Sequence, residues 1–186
     1  GKKIMVIFND DSDEDIPLGD EAIILRTSFY KSSKKNNEYA IPPFSADFYD
    51  SKVTAMKEET PTISFCGGIT HPLRLQGLQA LHDSYDIECN FILRNGFWAP
   101  GVPKDIAIKE FNDNIQNSLY GFCCRGAGNF SFRFGEVLSH GRIPVMIDSD
   151  CVLPFEHKID WREHSVIVEE SDIENISDRL LEFHIN

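Results

Sequence analysis

From Thr60 onward, short apolar runs alternate with amphipathic stretches, and this rhythm constrains the fold more than any other feature of the chain. Residues 63–66, 89–93, 119–124, 143–147 and 165–168 read as strands. Between them, 72–84 repeats Leu75, Leu78 and Leu81 at threes, with Pro72 suited to a first helical turn. Residues 105–118 put Ile108, Phe111 and Ile115 on one helical face, and 130–140 predicts a third helix stopped by Gly141. Ser171-Asp172-Ile173-Glu174 reads as a capping box opening a last helix, with Ile173, Ile176, Leu180 and Phe183 inward. Such alternation predicts an α/β fold, with parallel strands joined by crossovers and helices on both faces of one sheet.

Residues 1–55 follow a different pattern. Two strand-like runs, 4–8 and 22–25, flank an acidic stretch at 10–15, and a basic, polar segment runs on to Ile41-Pro42-Pro43-Phe44. The acidic stretch imitates a calcium loop, but Asp15 stands where the sharp turn of such a loop needs Gly. Two strands and much loop cannot close a core, so 1–55 is expected to be the end of another domain and 56–186 a domain of its own. The chain of 186 residues carries 18 Lys and Arg against 30 Asp and Glu, a net charge of −12. That balance disfavours nucleic acid and anionic membranes as partners but leaves room for a small phosphorylated ligand held by a few arginines. No apolar run is long enough for a membrane helix. The five cysteines, an odd number and mostly in or beside apolar runs, read as reduced thiols. They point to a reducing, cytoplasmic setting, with the lumenal domain of a secretory-pathway enzyme as the alternative.

Ligands of parallel sheets sit at the carboxyl ends of the strands. That rule selects 67–74, 94–96, 125–133 and 148–150, and three of these four loops carry Arg in a cation-poor chain. The richest is Arg125-Gly126-Ala127-Gly128-Asn129-Phe130-Ser131-Phe132-Arg133, a Gly-rich turn between a strand and a helix. Backbone N–H groups and the positive helix end suit phosphate oxygens there. Gly126 and Gly128 are expected to allow close approach and positive φ, Ser131 adds a hydroxyl, and Arg125 and Arg133 neutralise charge. Asn129, Arg133, Glu136 and His140 fall on one polar stripe, with Glu136 within reach of a ribose diol. Two other motifs compete. Gly126-x-Gly128-x-x-Ser131 with Asp148 imitates a dinucleotide fingerprint, and Asp148-Ser149-Asp150 spells the DxD of metal-dependent sugar transferases, without a further ligand cluster. A nucleotide-dependent oxidoreductase and a non-catalytic nucleotide-sugar-binding module therefore remain alternatives.

Phe65-Cys66-Gly67 with Arg74, Arg94-Asn95-Gly96-Phe97-Trp98, and Arg125 through Glu136 follow one another in order. Gly141-Arg142-Ile143-Pro144-Val145, Asp150 with Pro154-Phe155, and Ile159-Asp160-Trp161 complete the series. Together these pieces resemble the exostosin family of glycosyltransferases, family forty-seven of the sugar transferases. Arg26-Thr27-Ser28-x-Tyr30-Lys31 and Asn37-Glu38 with Pro42 look like the tail of the acceptor domain in microbial or viral relatives. The resemblance implies a GT-B arrangement in which a Rossmann-like C-terminal domain grips a UDP-sugar. It also implies inverting transfer to a glycan hydroxyl without a bound metal or other cofactor. It places the diphosphate on Ser131 and the turn (Gly126, Gly128, Asn129), the ribose on Glu136, and phosphate charge on Arg74 and Arg125. Arg94 and Arg133 complete the donor set, and Asp150 approaches the donor sugar. The catalytic base is left open among Glu38, Asp47, His71 and Asp150. An acceptor domain needs roughly 100 residues, so the N-terminal part is expected to be truncated.

Overall fold

A computed structural model describes residues 4–44, 59–96 and 99–186. The N-terminal part forms a small parallel sheet of β1 (Ile4–Phe8), β2 (Ala22–Arg26) and β3 (Glu38–Ala40), in that order. The third strand was not expected. It is only three residues long and carries Glu38, which is charged yet buried. A tertiary ion pair with Arg26 at 3.0 Å places it there, and no local pattern announces that pair.

The larger sheet holds β4 (Thr62–Gly68), β5 (Glu88–Arg94), β6 (Tyr120–Cys123), β7 (Ile143–Asp148) and β8 (Val166–Glu169). All pairs are parallel and the order is β5-β4-β6-β7-β8. The crossovers are α1 (Pro72–His82), α2 (Lys104–Gln116) and α3 (Phe132–Ser139), and α4 (Ile176–Ile185) closes the chain. Side chains alternate between two cores, as the pleat requires. Ile63, Phe65, Tyr120, Phe122, Val145, Ile147, Val166 and Val168 pack with Leu78, Leu81, Ile176 and Leu180 of α1 and α4. Cys123 and Met146 face the other way, onto Ile115 of α2 and Phe134 and Val137 of α3. The chain is thus α/β, a Rossmann-like parallel sheet with helices on both faces. Burying a core Leu, Ile or Phe side chain contributes about 1.5–3 kcal/mol, so these two layers supply most of the driving force.

Two expected helix starts move. The helix predicted from residue 130 begins at Phe132, because Asn129 is drawn into contacts with the N-terminal segment. The expected capping box does not form: residues 170–175 are 3-10 turns, and Asp172 accepts instead from Asn175 and Arg179. The small sheet docks on the carboxyl-end loops of the large one. Tyr30 bridges Cys151, the Lys31 N–H donates to the Asp150 carbonyl at 2.8 Å, and Lys31 Nζ pairs with Asp148 at 2.6 Å.

Candidate functional site

In this strand order the chain departs to one side of β4 through β5 and to the other through β6, β7 and β8. Such a switch point leaves a crevice outside the carboxyl ends of the two strands that straddle it. Here β4 and β6 pair only at Ile63↔Tyr120 and Ser64↔Gly121, and they part beyond that. Arg74, in the first turn of α1, spans the opening. Its Nη1 donates to the Gly68 carbonyl at 3.0 Å and its Nη2 to the Cys124 carbonyl at 3.2 Å. Arg133, from the first turn of α3, donates to the Cys66 carbonyl. Its guanidinium lies 4.4 Å over the Phe65 ring and 5.4 Å over Phe111, and Arg74 sits 5.9 Å over the same Phe65.

Among the described residues neither Arg74 nor Arg133 makes an ion pair within 4.0 Å, in a chain rich in carboxylates. Both Nε atoms are buried without a hydrogen-bond partner. Burial lowers the proton affinity of each, and Arg133 adds like-charge repulsion on Arg74. Carbonyl dipoles and ring faces meet these two desolvated cations, with Glu136 acting on Arg133 without an ion-pair contact, and such a site favours an anion.

The Gly-rich turn supplies the third cation. Arg125 donates through Nη1 to the Tyr30 hydroxyl at 3.0 Å, and through Nη2 to Asp13 and to the Ala127 carbonyl, each at 3.4 Å. A Cβ at Gly126 would stand 3.3 Å from Arg74 Nη2, so the turn passes directly over that guanidinium. Positive φ among glycines occurs at Gly101 and Gly141, not at Gly126 or Gly128. What Gly128 allows is close approach: a Cβ there would meet the Asp11 carbonyl at 2.3 Å and Ser28 Oγ at 2.7 Å.

The expected polar stripe reduces to Arg133 and Glu136. Asn129 lies ahead of the helix, buried, and its groups are taken. Its backbone N–H donates to Ser28 Oγ, its Nδ2 to the Phe29 carbonyl, and its Oδ1 accepts from Ser149. His140 is the buried C-cap, with Nδ1 2.8 Å from the Glu136 carbonyl. Glu136 is half-buried and its carboxylate makes no hydrogen bond among the described residues. Burial raises its carboxyl above the ordinary value, and the nearby Arg133 pulls it partly back. Ser131 is the N-cap of α3, and its hydroxyl makes no capping bond.

The remaining expected residues fall elsewhere. Arg94 is paired with Glu110 of α2 and reaches Cys66 Sγ at 3.9 Å. The Asp150 carboxylate accepts from the Ser32 hydroxyl at 2.5 Å and from its backbone N–H at 3.2 Å, and Asp148 is held by Lys31 and the Cys151 N–H. Glu38 has one oxygen on Arg26 and the other on the Lys35 N–H. Asp47 lies outside the described residues, as do Phe97 and Trp98. His71 caps α1, its Nδ1 accepting from the Leu73 N–H at 3.3 Å. That bond leaves the neutral ring's proton on Nε2, which makes that nitrogen a donor. Burial lowers its proton affinity, with Arg125 and Arg74 adding to the effect against Glu170. Sequence reasoning missed Ser28, Tyr30 and Lys31 as parts of this region. Their signal was present only as the Arg26-to-Lys31 motif, whose contacts across about a hundred residues no local pattern predicts.

The exostosin GT47 domain model matches residues 10–182, which takes in the whole larger sheet and β2 and β3 of the smaller one. The exostosin-1 homolog of Caenorhabditis elegans is 36% identical over 72 residues, covering 39% of this chain and 19% of that protein. A probable glycosyltransferase of Arabidopsis thaliana is 33% identical over 113 residues, 60% of this chain and 20% of its own length. A probable glucuronosyltransferase of Oryza sativa subsp. japonica is 38% identical over 63 residues, 34% of this chain and 15% of its own length. The chain thus spans a fifth or less of the length of these relatives. No helix among the described residues is long and apolar enough to cross a membrane.

Proposed function

Since the chain belongs to the exostosin GT47 family, we propose that its larger sheet is the nucleotide-sugar side of a GT-B glycosyltransferase. In this reading it takes a UDP-sugar and hands the sugar, with inversion, to a carbohydrate hydroxyl. One observation carries the reading. Arg74, Arg125 and Arg133 meet at the switch point of the sheet, and among the described residues Arg74 and Arg133 make no ion pair within 4.0 Å. A diphosphate suits that charge, and its departure from the anomeric carbon needs the same cations as negative charge builds on the leaving oxygen. With three guanidinium groups at hand, a metal ion is not required for that stabilisation. Arg74 and Arg133 answer the phosphates from the floor of the crevice and Arg125 from the turn above. Glu136 offers two acceptor oxygens to the ribose diol, and the Ser131 hydroxyl adds a donor at the start of α3.

Incubation with a panel of UDP-sugars, followed by measurement of released UDP and of the anomeric configuration of any product, tests this. Turnover of one donor with inverted product supports it, and retention of configuration would overturn the mechanism. A second reading, binding without transfer, is favoured by the state of the base candidates. Glu38 and Asp150 are engaged, and Nε2 of His71 is a donor. UDP binding with no UDP released from any sugar donor, in the presence of acceptor glycans, would favour that reading.

A further inference from the structure

Arg125 differs from the other two arginines of the crevice in donating hydrogen bonds to side chains, and both acceptors come from the small sheet's side of the molecule. The two contacts are not alike. The Tyr30 hydroxyl accepts from Nη1 at 3.0 Å, and the Tyr30 ring lies 5.6 Å beneath the guanidinium carbon. The Tyr30 backbone is fixed on both sides, by its bridge to Cys151 and by the Lys31 N–H on the Asp150 carbonyl. Asp13 touches Nη2 at 3.4 Å, a long contact for an ion pair, and its side chain is 27% exposed. The carbonyls flanking it, Ser12 and Glu14, are held by Arg26 Nη2 at 3.0 Å each. The Asp13 carboxylate can therefore swing into solvent while its backbone stays in place.

We propose that Tyr30 is the positioning residue for Arg125, fixing the plane of its guanidinium toward the crevice, and that Asp13 is an exchangeable anion on the face a diphosphate takes. This rests on the UDP-sugar reading above. Bidentate recognition of phosphate depends on the guanidinium plane as well as on its charge. A single hydroxyl and ring that hold that plane therefore affect diphosphate ligands and leave the nucleoside part of the interaction alone. The Asp13 carboxylate, by contrast, competes with the phosphate for the same N–H.

The two residues give effects of opposite sign, and calorimetric titration of the full chain with UDP and with uridine reads them. Tyr30→Phe keeps the ring and removes the acceptor; UDP affinity is expected to fall roughly tenfold while uridine binding is unchanged. Asp13→Asn removes the competing charge, and UDP affinity is expected to hold or rise. Unfolding midpoints of both variants are measured alongside. The proposal is overturned if Tyr30→Phe binds UDP as the wild type does, or if it loses UDP and uridine in equal ratio. It is also overturned if Asp13→Asn weakens UDP together with Tyr30→Phe, since that marks both as structural supports of the turn. Failure of the wild-type chain to bind UDP at all is a separate result, which removes the donor reading and this role with it.

Discussion

Glu136→Gln separates a ligand-binding carboxylate from a structural one with a single atom change. In the free protein the carboxylate is half-buried, without a hydrogen-bond donor among the described residues, and its pKa is raised from 4.5 by burial. A raised pKa means the folded state holds the proton more tightly than the unfolded chain. The stability this gives is present in full below pH 4.5 and is lost as pH rises through the folded-state value. At pH 7.5 or so the ionised group is thus a net cost to the fold, and Gln, neutral at every pH, should melt no lower than wild type there. Ligand binding should respond in the opposite sense. If both ribose hydroxyls donate to the carboxylate, Gln replaces one acceptor oxygen with a donor and loses one charge-assisted bond worth about 1.5–3 kcal/mol. That is roughly a tenfold to hundredfold loss of UDP affinity. Titration calorimetry with UDP and 2′,3′-dideoxy-UDP, and a melting curve for each protein, provide the measurements. The dideoxy ligand should bind wild type and variant about equally, and wild-type UDP affinity should fall on acidification as Glu136 takes up its proton. A variant that melts well below wild type, or loses both ligands in the same ratio, would refute the ribose assignment and make Glu136 a partner of Arg133 only.

On the proposed donor reading, Arg125→Ala should weaken UDP by roughly tenfold to hundredfold and uridine very little; equal losses in paired titrations would remove it from the phosphate site. If the three arginines supply the positive charge, as proposed, EDTA should leave UDP affinity nearly unchanged; a large loss restored by manganese would bring back a metal role for Asp148 and Asp150. Glu38→Ala should cost about 3–5 kcal/mol in urea unfolding, because it leaves the buried Arg26 charge unpaired. An unchanged unfolding curve with abolished transfer would instead return Glu38 to the list of possible bases.

What could be read from the chain divides along the range of the forces involved. The parallel sheet, its five strands and the four helices were legible because each rests on a short continuous apolar run or on spacings of three and four within about fifteen residues. Phe65, Phe122 and Val145 are buried on one face of these runs and Cys123 and Met146 on the other. The arginines of the crevice were legible by a rule of topology: parallel strands end in loops that share one edge, so Arg74 and the turn at Arg125 had to come near each other. The stripe of four polar residues failed at Asn129 and His140, where contacts with Ser28, Phe29 and the Glu136 carbonyl outweigh helical periodicity. Of the two reasons for a glycine at Gly128, close approach and positive φ, only the first applies, and what approaches is the Asp11 carbonyl. Glu38 shows the same limit: a charged residue in a polar segment reads as solvated until Arg26, twelve residues earlier, is folded against it.

The docking of Ser28, Tyr30 and Lys31 on the carboxyl-end loops also sets an order in time. The contacts that hold the Gly-rich turn span 101 residues from Asn129 to Ser28 and 95 from Arg125 to Tyr30, and the one at the end of β7 spans 117 from Lys31 to Asp148. Pairing of β4 with β5, or of β6 with β7, closes far shorter loops. Loop-closure entropy rises with separation, and long-range contacts are rewarded late. The sheet can therefore assemble and bury its two cores while Arg125 is still unsupported. During refolding, nucleotide affinity would be acquired after most of the secondary structure, and during gentle denaturation it would be lost before it. A stopped-flow trace of UDP binding should accordingly lag the far-ultraviolet signal in one direction and lead it in the other.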